Sequence, residues 1–413
     1  MKTLIGPFSQ ILPLSNLPVN GALDDSQLFI VADGGVIVEN GKILATGNFK
    51  QLRAANPGIT VEETISEQVL LPGFVDCHTH ICFAGSRAKD YSMRIKGRSY
   101  LDIAKAGGGI WDSVVQTRAA EEIMLTQLLQ QRARRHLSQG VTTIEVKSGY
   151  GLNVENELKQ LRAIKKANEP GDDFTGADLV PTCLAAHLLP KDFNGDARAY
   201  LDHVLANLLP VIKVENLAER VDIFIEESAF NSVDALYYLR AAKAMGFELT
   251  VHADQFSTGG LAVAIEAGAL SADHLEASTS TEIELLKDAE TVAVVLPGAS
   301  LGLGMHYAPA RKLLDAGACV AIASDWNPGS APMGNLLMQA AVMSAAEKLS
   351  AAEVFAGLTY RAAKALNLQD RGTISCGLLA DMQAYPCNDY REILYHQGQL
   401  QPISVWKNGN KIK

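Results

Sequence analysis

Between residues 69 and 371 a short β-branched run gives way to a stretch of helical periodicity eight times over, and that alternation constrains the fold more than any other feature of the chain. The runs are 69–77, 141–147, 178–186, 221–227, 247–252, 270–274, 291–297 and 318–324. Leu125, Leu129, Ala133 and Leu137 in one interval, and Val154, Leu158, Leu161 and Ile164 in the next, recur at the spacing that puts apolar side chains on one helix face. Gly140, Gly246, Gly268 and Gly317 stand a residue or two ahead of the following run, where a helix C-terminus takes a left-handed residue. Eight βα units in tandem predict an α/β fold of the (β/α)8 TIM-like barrel type, with an open doubly wound sheet as the alternative.

Such a barrel needs about 250 residues, so both ends of the chain are left over. Leu28, Ile30, Val36, Val38, Ile43 and Leu44 flank Asn40-Gly41, a dipeptide that supplies the positive φ angles of a tight hairpin. The same texture returns around Asn408-Gly409. The pattern predicts one small β-sandwich-like domain built from residues 1–68 and 372–413, with the barrel occupying 69–371.

A formal net charge of -10 and the absence of any basic run argue against nucleic acid or an anionic membrane as partner, since nothing is present to neutralise phosphates. The expected partner is a small-molecule substrate. Six cysteines without a CxxC pair read as reduced thiols and hence a cytoplasmic protein. The opening segment lacks a signal-peptide core, and no run of about 18 apolar residues suggests a membrane span.

Barrel enzymes place their chemistry at strand C-termini, and polar residues collect there. In VLLPGFVDCHTH (69–80) a strand would turn His78 and His80 to one face. Later runs end in Lys147-Ser-Gly-Tyr150, His187, Glu226-Glu227, His252-Ala-Asp-Gln255, Asp273-His274, Pro297-Gly298 and Asp325-Trp-Asn-Pro-Gly-Ser330. Five of the nine histidines (78, 80, 187, 252 and 274) therefore sit at strand ends, which scattered surface use does not explain. His78, His80, His252 and Asp325 form a set that one barrel mouth can gather around a single divalent metal, zinc or iron. Such an ion lowers the pKa of bound water and polarises a carbonyl. Asp325 would shuttle a proton to the leaving nitrogen, and His274 would donate to the developing oxyanion.

These segments resemble the amidohydrolase superfamily of metal-dependent barrels over essentially the whole chain. The closer resemblance is to the imidazolonepropionase family, whose members open the ring of 4-imidazolone-5-propanoate to N-formimino-L-glutamate. It is carried by LPGFVDCHTHICFAGSRA (71–88), AGGGIW (106–111), EVKSGYGL (145–152), HADQFSTGG (252–260), LSADHLE (270–276) and SDWNPGS (324–330). The resemblance implies metal on His78, His80, His252 and Asp325, substrate contacts from Arg87, Tyr100, Tyr150, His187, Gln255, Asn327, Gly329 and Ser330, and a homodimer as the expected assembly. Two features depart from the pattern, the segment 297–313 and Trp326, and both are expected to face the pocket. Lys147 lies on the second run, not on the fourth that carries a carbamylated, metal-bridging lysine in some members of the superfamily, which favours one metal.

Two rival functions follow from the same residues. An aminohydrolase acting on an exocyclic amine would share the ligands but would usually carry Glu where this chain has Gln255, and a neutral amide cannot shuttle a proton. A binding protein that kept the barrel and lost the chemistry is the other, because fold alone does not fix function.

Overall fold

The computed structural model describes residues 2–98, 102, 106–169 and 176–413. The N-terminal strands are β1 (Thr3–Ile11), β2 (Val31–Glu39), β3 (Lys42–Asn48), β4 (Thr60–Glu63) and β5 (Val69–Pro72). Asn40 at φ 51° and Gly41 at φ 78° close the β2–β3 hairpin, in which Glu39 faces Lys42. Eight barrel strands follow: β6 (Phe74–Asp76), β7 (Val141–Lys147), β8 (Asp178–Ala186), β9 (Arg220–Ile223), β10 (Glu248–Ala253), β11 (Ser271–His274), β12 (Val292–Val295) and β13 (Val320–Ile322). The chain ends with β14 (Met382–Tyr385), β15 (Ser404–Lys407) and β16 (Asn410–Lys411).

Strands β6 to β13 pair in sequence order, every pair parallel, as βα units require. Residues just past the strands join first to last. Asp325 N donates to His78 O at 3.1 Å, His80 N to Trp326 O at 2.9 Å, and Ser324 N to the Asp76 carboxylate at 2.9 Å. The barrel therefore closes at the same residues that were singled out as metal ligands. Helices at Glu122–Ser138 and Val154–Ala167 bury the apolar faces read from the sequence.

Both chain ends contribute to a second sheet, ordered β16-β15-β14-β5-β1-β2-β3 with β4 on β1. Its core gathers Ile5, Phe8, Ile43, Leu70, Met382 and Trp406, with Phe8 meeting Trp406 edge-on. The run 69–77, expected as one barrel strand, is two. β5 pairs with β1 and β14 in the second sheet, and only β6 enters the barrel. Gly73 makes the handover: its N–H donates to Asp381 O while the next N–H, of Phe74, donates to Gly140 O. A Cβ at Gly73 would lie 2.4 Å from Thr142 Oγ1, so only glycine lets the two sheets approach there. The run 221–227 is also shorter than expected, with β9 ending at Ile223 and Phe224 and Ile225 forming isolated bridges.

Candidate active site

His78 and His80 follow β6 at the two-residue period and share a face, while His252 is the penultimate residue of β10 and Asp325 follows β13. His78 Nε2 lies 3.2 Å from His80 Nε2, which lies 3.3 Å from His252 Nε2. Asp325 Oδ1 stands 3.4 Å from His80 Nε2 and 3.6 Å from His78 Nε2. Four donors around a tetrahedral ion at ~2.0–2.1 Å are separated by roughly 3.3–3.4 Å. The spacing found fits one divalent cation, and the three imidazoles converge within 4.8 Å of one another.

The opposite ring nitrogens explain how the rings are aimed. His78 Nδ1 is 2.6 Å from Asp273 Oδ2, and His252 Nδ1 is 2.9 Å from Asp222 Oδ2. Each carboxylate holds the proton side of its imidazole and leaves the Nε2 lone pair facing the centre. Burial holds His78 and His80 well below the ordinary histidine range. It also takes His252 down to about 3, outweighing the opposing pull of Asp222. Neutral imidazole is the form a metal takes.

Lys147 lies beneath the histidines. Its Nζ donates to Glu145 Oε1 at 2.9 Å and sits 2.9 Å from Asp222 Oδ2. Burial alone would lower its pKa, but Asp222, Glu145 and Asp273 raise it above the lysine range. The amine is thus engaged by carboxylates and is not one of the four converging donors.

His274 closes β11 in a left-handed conformation, φ 91°, uncommon for a residue with a side chain. Its Nδ1 is 3.4 Å from Glu276 Oε2. Burial opposes protonation, yet Glu276 and then Asp325 raise its pKa, which suits a donor to a developing negative charge. Burial pushes the Asp325 carboxyl up to about 6, against the opposing pull of His274.

A cavity of about 570 Å³ opens above these residues. Arg87, Tyr150, His187, Gln255, Asn327, Gly329 and Ser330 all line it. Arg87 Nε donates to Asp90 at 2.7 Å, and a Cβ at Gly329 would fall 2.7 Å from Arg87 Nη1, so the guanidinium reaches across to the last loop. His187 Nδ1 is 3.0 Å from Gly149 O, an acceptor, so the proton sits there and Nε2 remains for a ligand. Asn327 is engaged within its own loop, donating to Asp325 O and Ser330 Oγ and accepting from the N–H groups of Gly329 and Ser330. Tyr100 lies outside the described residues.

Of the two departures, Leu303 and Met305 from the segment 297–313 do line the cavity. Trp326 does not, contrary to expectation. Its ring is buried behind the loop, edge-on to His136 at 4.7 Å and under the Arg135 guanidinium. Asp325 at φ 49° breaks the strand alternation that would have turned Trp326 toward the mouth.

The sequence profile of the Amidohydrolase family matches residues 69–412. Imidazolonepropionase of Fusobacterium nucleatum is 38% identical over 382 residues, 92% of this chain and 91% of its own. Those of Myxococcus xanthus and Bdellovibrio bacteriovorus are 42% and 39% identical, covering 82% and 94% of this chain and 80% and 91% of theirs. The chain belongs to the imidazolonepropionase family of amidohydrolases. Among solved structures, an adenosine deaminase from Xanthomonas campestris with bound zinc superposes with TM-score 0.69 at 18% identity, over 99% of this chain and 92% of that one. A Xaa-Pro dipeptidase gives TM-score 0.70 at 17% identity, over the whole of both chains. At such identities the likeness is one of fold.

Several residues of this imidazolonepropionase-family site escaped the sequence reading. Asp222 is a lone acid inside a buried strand, and a charge at such a position is the signal that marks it. Glu276 supports His274 and accepts from Ser300 Oγ at 3.3 Å. Arg94 donates to Gly302 O at 2.9 Å and reaches Gly329 O, tying the first-strand loop to the last two. Glu226, one of the two acids that end the fourth run, bonds to none of the four donors. It accepts from Phe256 N, Ser257 N and Ser257 Oγ and so braces the turn that carries Gln255. A hollow of about 750 Å³ beside Pro18, Leu270 and Lys364 gathers no comparable constellation.

Proposed function

We propose that the chain hydrolyses the ring amide C–N bond of 4-imidazolone-5-propanoate to give N-formimino-L-glutamate, with one divalent ion, zinc or iron, on His78, His80, His252 and Asp325. The observation that carries this reading is the neutral Gln255 lining the cavity above the converging histidines, in a chain whose relatives are imidazolonepropionases. A divalent ion held there supplies Lewis acidity and a water of lowered pKa.

The residues divide the remaining work. Asp325 accepts the proton lost by the attacking water and returns it to the ring nitrogen as the C–N bond breaks. His274 donates to the carbonyl oxygen as its charge grows. The Arg87 fork takes the propionate carboxylate, with its Nε already held by Asp90. Tyr150, His187 and Gln255 hydrogen-bond the ring, and the ordered loop of Asn327, Gly329 and Ser330 forms the facing wall.

The test mixes purified protein with the imidazolone and follows loss of the ring's ultraviolet absorbance. Formation of N-formimino-L-glutamate is the expected result. Ammonia released from an exocyclic amine with the ring intact would move the assignment to an aminohydrolase. The same reading takes 1–68 with 372–413 as one composite domain and 69–371 as the hydrolase barrel. It takes the cytoplasm as the setting and a homodimer as the working form, which sedimentation of the purified chain decides. Among the described residues no helix is long and apolar enough to cross a membrane.

A further inference from the structure

One buried titratable side chain has no part in the chemistry above. Lys147 is fully buried, and its Nζ faces three carboxylates, with Glu145 Oε1 and Asp222 Oδ2 at 2.9 Å and Asp273 Oδ2 at 3.8 Å. Each of the three leads on to the donor set. The same Asp222 oxygen lies 2.9 Å from His252 Nδ1, and the same Asp273 oxygen 2.6 Å from His78 Nδ1. Glu145 Oε2 accepts from the N–H of Thr79, the residue between His78 and His80, at 3.2 Å. Among the described residues no other lysine or arginine forms an ion pair with these carboxylates.

Three carboxylates crowded out of water repel one another unless a cation stands among them. We propose that Lys147 is a positioning residue for the metal centre: its ammonium fixes the Asp222 and Asp273 carboxylates that aim His252 and His78, and it fills the space in which those carboxylates would otherwise gather a second divalent ion. The charge matters here as well as the shape. Three acids to one ammonium leave an excess of negative charge under the imidazoles, which favours a cation above them, while the fixed ammonium keeps that cation to one side. The inference rests on the metal reading of the donor set.

The test loads the wild type and Lys147→Met, which removes the charge at similar volume, with Co2+. Visible absorption reports the ligand geometry, a chelator reports the release rate, and equilibrium dialysis reports stoichiometry. The wild type is expected to hold one equivalent even in millimolar Co2+. The variant should show a displaced absorption band, release cobalt about 10–100-fold faster, as loss of ligand support typically produces, and take a second equivalent in excess Co2+. An unchanged band and release rate would overturn the positioning role, and a variant that stays at one equivalent, or a wild type that takes two, would overturn the exclusion. No cobalt uptake by the wild type would remove the metal reading, and this inference with it. If Lys147→Met does not fold by circular dichroism, Asp222→Asn weakens the link between Lys147 and His252 with a smaller change. Unchanged absorption and release in that variant would be equally decisive against the proposal.

Discussion

Asp273 Oδ2 lies 2.6 Å from His78 Nδ1, deep under the cavity floor, and this contact decides which nitrogen of His78 faces the centre. Asp273→Ala should therefore lower metal affinity by about 10–100-fold while leaving the far-ultraviolet spectrum unchanged. Asp273→Asn keeps an acceptor and should lose less. Chelator competition measures both, and wild-type affinity in the alanine variant would mean that His78 is oriented by its packing alone.

Removing a donor differs from removing its charge. His78→Ala and His252→Ala should lose bound metal and ring hydrolysis together, since each deletes one corner of the four-donor set. Asp325→Asn keeps an oxygen donor but no longer carries a proton between water and nitrogen, so some metal should remain while kcat collapses. Elemental analysis beside single-turnover rates separates the cases. Near wild-type kcat in Asp325→Asn would end the shuttle assignment.

Arg87 is held by Asp90 through Nε and packs against Gly329, which leaves the outer edge of its fork for a carboxylate. Arg87→Lys should mainly raise KM. An imidazolone without the carboxylate should lose roughly 2–4 kcal/mol of transition-state binding, the scale of buried charged hydrogen bonds left unmade. Equal kcat/KM for the acid and the decarboxylated analogue would remove Arg87 from substrate recognition.

Gln255→Glu puts a proton carrier at the cavity wall without altering the geometry of the leaving group. It should not confer deamination of guanine or cytosine, as ammonia assay would report. Appreciable ammonia from either base would mean that this single side chain separates the two reaction classes on this scaffold.

Trp326 is buried against His136 and Arg135, away from the cavity. Trp326→Ala should cost about 3–5 kcal/mol of stability, the range for a buried aromatic truncated to alanine. KM for the imidazolone should change little. Denaturant midpoints and steady-state kinetics check the pair, and a large KM change at unchanged stability would return Trp326 to the pocket.

The legible and illegible parts of this chain divide along a physical line. His78 and His80 could be read together because a two-residue period is a local property, and His252 and Asp325 because strand tips of a barrel converge whatever the loops do. The two Asn-Gly hairpins were equally local. The break at Gly73 was not, because Val69 to Cys77 is one apolar run and the partners that divide it, Asp381 and Gly140, are remote in sequence. Trp326 was misplaced for a related reason, since the left-handed turn at Asp325 reverses an alternation that sequence reading extends past the strand. Asp222 gives only the weak signal of one acid among apolar neighbours, and its meaning depends on Lys147 and His252 arriving from other strands.

β5 has β1 on one side and β14 on the other, and the second partner is made last. While a ribosome extends the chain from Pro72 to Met382 the strand has only one neighbour, a wait on the order of 15–60 s at the usual rates of translation. Through that interval the emerging polypeptide presents Val69, Leu70 and Leu71 along an open strand edge, the kind of surface that pairs with other chains. A product released after the barrel but before residue 382 would hold His78, His80, His252 and Asp325 and still carry that adhesive edge.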